Sequence, residues 1–117
     1  MAFRQFGKSF HYAWRGIRTV IAEEQNFRIQ LFATVAVLVF GAVLHIRTVE
    51  MAILVLVSGS ILVLELLNSL IERVVDLVKP RLHPYVAEIK NIAAGAVLVA
   101  AGMAILVALF IFLPYLH

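Results

Sequence analysis

The sequence predicts an all-α integral membrane protein, an N-terminal amphipathic surface helix followed by three transmembrane helices. Three observations carry this. Of 117 residues, 63% are hydrophobic, more apolar surface than a chain of this length can close into one water-soluble core. The apolar residues gather into runs of spanning length, dominated by Leu, Ala, Ile and Val, and this composition favours helices over a barrel. Finally, Lys and Arg flank those runs. Their excess, a net charge of +3, therefore follows membrane topology and does not mark a nucleic-acid surface.

A single domain covering residues 1–117 is expected, without linker, internal repeat or low-complexity segment. The absence of cysteine removes disulfides, thiolate catalysis and Cys-ligated metals. The four histidines, His11, His45, His83 and His117, lack the close spacing of a zinc site. No removable signal peptide is read at the N-terminus, so the first span is expected to direct insertion.

Residues 1–27 are too polar to span but strongly two-sided. Arg4, Lys8, His11, Arg15 and Arg18 recur at spacings of four and three, which puts them on one narrow helical face. Phe3, Phe6, Phe10, Trp14, Ile17 and Ile21 fill the other. A cationic face opposite an aromatic one describes a helix lying in the membrane interface near anionic headgroups. The alternative is a short amphipathic helix packed on another helix.

Ala22 to Arg28 forms a polar junction, and the first span follows at about residues 29–46. His45 to Glu50 reads as a tight turn, so the next span, about residues 51–71, makes an antiparallel hairpin with the first. The second helix is expected to run on to Val78 before Pro80 stops it. Lys79 to Tyr85, with two prolines, reads as a loop, and a short helical piece from Val86 to Lys90 feeds the last span, about residues 91–113. Pro114 ends that span, and Tyr115 is expected as an interfacial aromatic. Along it, Ala96, Ala100, Ala104 and Ala108 recur every fourth position, a row that lets helices approach closely within or between subunits.

Orientation follows from the basic residues. Arg4, Lys8, Arg15, Arg18 and Arg28 precede the first span and Arg73, Lys79, Arg81 and Lys90 flank the second loop, whereas Arg47 stands alone in the first turn. The N-terminus and second loop are therefore expected in the cytoplasm and His117 outside.

Candidate chemistry lies in ELLNSLIERVVD, Glu65 to Asp76. Glu65, Asn68, Ser69, Glu72 and Asp76 sit at i, i+3, i+4, i+7 and i+11, one helical face extending roughly 16 Å at ~1.5 Å per residue. Polar groups at the end of a membrane helix are costly and usually functional. Glu65, the deepest, is placed to accept a proton from a lipid-borne group. Glu72 and Glu24 share a membrane side, and packed together they would form an oxygen-rich magnesium site, an ion that needs only one or two carboxylates plus nucleotide phosphates. Lys90 adds a cation for phosphate near a helix start. Metal, phosphate cation and base are the parts of phosphoryl transfer, although no glycine-rich phosphate loop is present. From spacing alone a polar packing contact between helices and a transporter or proton relay remain alternatives. Arg73, between Glu72 and Asp76, reads as part of a solvated helix end.

At ELLNSLIERVVDLV (Glu65–Val78), HP (His83–Pro84) and KNIAAGAVLVAA (Lys90–Ala101), with EEQNFRIQ (Glu23–Gln30) upstream, the chain resembles the prokaryotic diacylglycerol kinase and undecaprenol kinase family of small bacterial membrane lipid kinases. The family pattern reads roughly E-x-x-N-[ST]-x-I-E-x-x-x-D, then K-D-x-[AG]-[AS]-[AG]-A-V-L. The resemblance covers nearly the whole chain. It implies a homotrimer in the bacterial inner or plasma membrane, with active sites shared between subunits at the cytoplasmic face. The activity implied is ATP- and magnesium-dependent phosphorylation of a membrane lipid alcohol. Glu65 would be the catalytic base, Glu24 and Glu72 the metal ligands, Asn68 and Ser69 polar contacts of the site, and Lys90 a phosphate contact. One departure stands out. Asn91 follows the motif lysine where the pattern has Asp, keeping the size and the polar contact but losing a charge. If that charge supports the lysine or the nucleotide, turnover falls. NFRIQL and ERVVDLVKPRLHP look closer to the undecaprenol kinase branch, with diacylglycerol the alternative substrate.

Overall fold

A computed structural model describes residues 2–78 and 83–116. Four α-helices follow one another: α1 (Ala2–Glu23), α2 (Gln25–Val43), α3 (Thr48–Val78) and α4 (His83–Phe112), the last continued by a short 3-10 helix, Leu113–Leu116. The three helices α2, α3 and α4 are long and apolar enough to cross a membrane. Both α2 and α4 pack along α3, which is the spine of the bundle.

The α2–α3 connection is dictated by local chemistry. His45 has φ 57°, the left-handed turn that ends a helix, and its N–H bonds to the Ala42 carbonyl at 3.1 Å while that of Ile46 reaches the Gly41 carbonyl at 3.2 Å. Ile46 thereby folds back onto α2, where its Cδ1 would stand 3.0 Å from any Cβ at position 41. Glycine is the residue that leaves room. On the far side, Glu50 accepts the backbone N–H of Arg47 at 3.1 Å, half of a capping box that starts α3.

Because this turn holds the start of α3 beside the end of α2, the extra length of α3 falls at its other end. Its 31 residues span about 46 Å against a hydrocarbon core of ~30 Å, so about ten residues project. The Glu65–Asp76 stripe occupies that overhang and the turns just before it.

The break between α1 and α2 falls at Glu24, within the polar junction read from the sequence. α4 differs from expectation. It is continuous from His83, so no separate Val86–Lys90 piece exists, and the segment expected as loop is helical from His83 onward, with Pro84 in the first turn where a missing N–H costs nothing. The remaining loop residues 79–82, and His117, lie outside the described residues. At the opposite end of the bundle Leu54, Ile111 and Phe112 form the core, and Phe40 meets Phe112 at a centroid distance of 5.0 Å. Tyr115, expected as an interfacial aromatic, is half-buried there and donates its hydroxyl to Glu50.

Candidate functional site

The site is built where the α1–α2 elbow meets the overhang of α3. Glu24 has extended backbone (φ −111°, ψ 109°) between the two helices and occupies the N-cap position of α2. A side chain there ordinarily turns back to cap its own helix. That of Glu24 makes no such bond and crosses to α3, where Ser69 Oγ donates to its Oε1 at 3.0 Å. The elbow's backbone is held by others. Arg28 Nη1 donates to the carbonyls of Ile21 at 2.7 Å and Ala22 at 3.0 Å, covering the end of α1.

Along α3, Ser69 and Glu65 are buried, at 3% and 7% exposure. Glu65 lies in the field of two like charges, Glu24 and Glu72. Asn68 Nδ2 donates to Glu72 Oε1 at 3.2 Å, and its own Oδ1 is buried with no hydrogen-bond partner. A buried acceptor left unpaired is costly and calls for a donor or a cation.

Lys90, at the second turn of α4, pairs with Asp76 Oδ1 at 2.8 Å and also feels Glu72. The structure thus brings together Glu24, Glu65, Asn68, Ser69 and Glu72, with Lys90 at the outer edge. Asn91, next to Lys90, is exposed.

Arg73 is the residue that spacing undervalued. It lies at a partly solvated helix end, yet it is tied to other elements. Its Nη2 meets Glu23 Oε1 at 2.8 Å, its Nη1 lies 3.6 Å from Glu24 Oε1, and the same nitrogen donates to Ser69 Oγ and, at 3.4 Å, to the Ser69 carbonyl. Its partners Glu23 and Glu24 stand about fifty residues away in the sequence, and only the docking of the elbow on α3 brings them near. Between α1 and α3 lies an apolar cleft of ≈ 430 Å³, lined by Ile17, Val20, Leu66 and Leu70 and also by Ser69 and Arg73.

Chemically, the carboxylates of Glu24 and Glu72 and the unpaired amide oxygen of Asn68 are hard-oxygen groups of the type magnesium takes together with phosphates and water. No cluster of three His, Cys, Asp or Glu able to hold a metal by protein ligands alone occurs among the described residues. By donor type, these oxygens fit an ion whose other ligands come from phosphate and water.

Three apolar helices with a carboxylate-lined site at one end define a small helical membrane protein built for polar chemistry beside lipid. Residues 11–112 match the model of the prokaryotic diacylglycerol kinase family, and the chain belongs to that family of membrane lipid kinases. It is 43% identical over 107 residues to a diacylglycerol kinase of Synechocystis sp. (strain ATCC 27184 / PCC 6803 / Kazusa), covering 91% of this chain and 61% of that protein. To an undecaprenol kinase of Bacillus subtilis (strain 168) it is 41% identical over 112 residues, 96% of this chain and 91% of the relative. A diacylglycerol kinase of Escherichia coli (strain K12) matches at 28% over 104 residues, 89% of this chain and 85% of the relative.

Proposed function

We propose that this protein phosphorylates the hydroxyl of a membrane lipid alcohol at the expense of ATP, undecaprenol being the substrate and undecaprenyl phosphate the product. The observation that carries the reading is the arrival of Glu24, from the α1–α2 elbow, on the Ser69 face of α3 beside buried Glu65. In this reading Glu65 is the base. The lipid oxygen attacks the γ-phosphorus, the bond from that phosphorus to the β–γ bridging oxygen breaks, ADP leaves, and the hydroxyl proton passes to the Glu65 carboxylate. Magnesium, when bound, supplies charge neutralisation on the phosphate oxygens. Glu24 and Glu72 would hold it, with the unpaired Asn68 Oδ1 offering a further polar contact. Lys90 would contact phosphate, with Asp76 holding its ammonium in place and Asn91 beside it a polar nucleotide contact.

The cleft between α1 and α3 supports an apolar substrate, since a hydrocarbon chain lying on Ile17, Val20, Leu66 and Leu70 would bring its polar end towards Ser69. Phe3, Phe6, Phe10 and Trp14 are exposed on α1 opposite its basic row, which supports α1 as a surface helix on anionic lipid. The excess of Lys and Arg at the site end supports a cytoplasmic active site and an outward C-terminus in a bacterial plasma membrane. A homotrimer is supported by the small residues of α4. A Cβ at Gly95 or Gly102 would meet nothing within 4 Å inside one chain, so their smoothness is available to a second copy.

Undecaprenol is favoured by the near-complete overlap with the Bacillus subtilis relative. Diacylglycerol is the second reading, favoured by the name of the Synechocystis relative. Transfer of labelled γ-phosphate to the two lipids, side by side in the same vesicles, decides between them. Ion flux without ATP in vesicles, coupled with no lipid phosphorylation, would instead favour a transporter, and absence of both a scaffold.

A further inference from the structure

The backbone of Glu24 is engaged on both sides, yet its carboxylate makes no capping bond to its own helix. The Glu24 N–H bonds to the Val20 carbonyl at 2.8 Å and its carbonyl accepts from the Arg28 N–H at 3.3 Å. Its side-chain direction is therefore decided by α3, by the Ser69 hydroxyl and the Arg73 guanidinium. Arg73 grips both. Its planar fork spans Glu23, Glu24 and Ser69 at once, which a point charge such as Lys cannot do.

A positive charge beside a cation ligand ordinarily opposes the cation. Here the shorter contact, 2.8 Å, goes to Glu23, against 3.6 Å to Glu24, so Glu23 takes up most of the guanidinium's charge and leaves its orientation to act on Glu24. We infer that Arg73 is a positioning residue, anchored by Glu23, that aims the Glu24 carboxylate and thereby sets the affinity of the site for its divalent cation. The inference rests on the reading of Glu24 as a metal ligand.

The test is binding of manganese, as a paramagnetic stand-in, to the full-length protein in detergent micelles with a non-hydrolysable ATP analogue, followed by electron paramagnetic resonance. Arg73→Ala is expected to weaken binding about tenfold or more, the scale of lost outer-shell support. Arg73→Lys keeps the charge without the fork and should recover part of the loss. Glu23→Gln, which frees the guanidinium charge to fall on Glu24, should weaken binding as well. In kinetics, Arg73→Ala should raise the magnesium concentration for half-maximal rate by about tenfold or more, and Arg73→Lys by less. Should Arg73→Ala fail to fold, Arg73→Lys and Glu23→Gln carry the test. Binding unchanged in these variants, while Glu24→Gln abolishes it, overturns the positioning role alone. Binding unchanged in Glu24→Gln overturns the ligand reading and this inference with it.

Discussion

α3 carries a polar cluster near each end, and the two are built on opposite principles. At its start, Glu50 accepts from the Tyr115 hydroxyl and from the Arg47 N–H, and Arg47 Nε lies 3.6 Å away, so one carboxylate meets several donors. Fifteen residues on, about 22 Å along the helix, Glu65 is buried in the field of two further carboxylates, and Asn68 Oδ1 is buried without a partner. The first cluster is closed. It joins the short 3-10 helix after α4 to the α2–α3 turn above the Leu54–Phe112 core. The second is open, with acceptors in excess of donors, which is costly for a structural knot and suited to a site that receives cations and phosphate from outside. The two clusters differ in the balance of donors and acceptors, since both contain Glu and Arg.

The contrast can be broken most sharply at Glu65. Glu65→Gln is expected to lower phosphate transfer to lipid by about 10²–10⁴-fold, the usual contribution of a general base, whereas Glu50→Gln should leave it within a few-fold. Undiminished transfer in Glu65→Gln would sink the base assignment. Next in size, Glu24→Gln or Glu72→Gln should raise the half-saturating magnesium concentration by about tenfold or more, read from initial rates across a magnesium titration. A magnesium curve superimposable on that of the parent would remove the residue from the site. At the closed end, Tyr115→Phe should lower the thermal midpoint in detergent by a few degrees with no change in turnover. A loss of activity at full stability would mean that this cluster, too, takes part in function. The smallest effect is expected at Asn91. Asn91→Asp restores the charge of the family pattern next to Lys90 and should raise turnover about threefold, and an unchanged or lower rate would show that position 91 asks only for a polar group.

Much of this was legible from the residues. The tight turn from His45 to Glu50, the apolar runs and the one-sided stripe from Glu65 to Asp76 are local patterns, and local patterns follow from helical periodicity and from the cost of an unpaired backbone in lipid. The motifs also pointed to Glu24 and Lys90 as partners of the stripe. Arg73 was hidden for a different reason. Its spacing to Ser69 is local, but its grip on Glu23 and Glu24 exists only because α1 and α2 meet in an elbow that docks against α3. Likewise, the pairing of Lys90 with Asp76 joins residues of two helices whose connecting loop says nothing of their rotation about their own axes. Pro84 misled in the usual direction, because proline breaks a helix in its middle and suits one in its first turn.

By itself the sequence determined the class of molecule, the three apolar helices of spanning length and the polar stripe of α3, since each depends on composition or on spacing along one helix. The tertiary structure decided which of those residues meet. Only the packing of the elbow against the overhang of α3 turns the N-cap carboxylate of one helix into a neighbour of the buried Glu65 of another and makes Arg73 the hinge between them. The rotation and approach of separate helices are fixed by contacts summed over the whole bundle, and no single stretch of residues contains that sum.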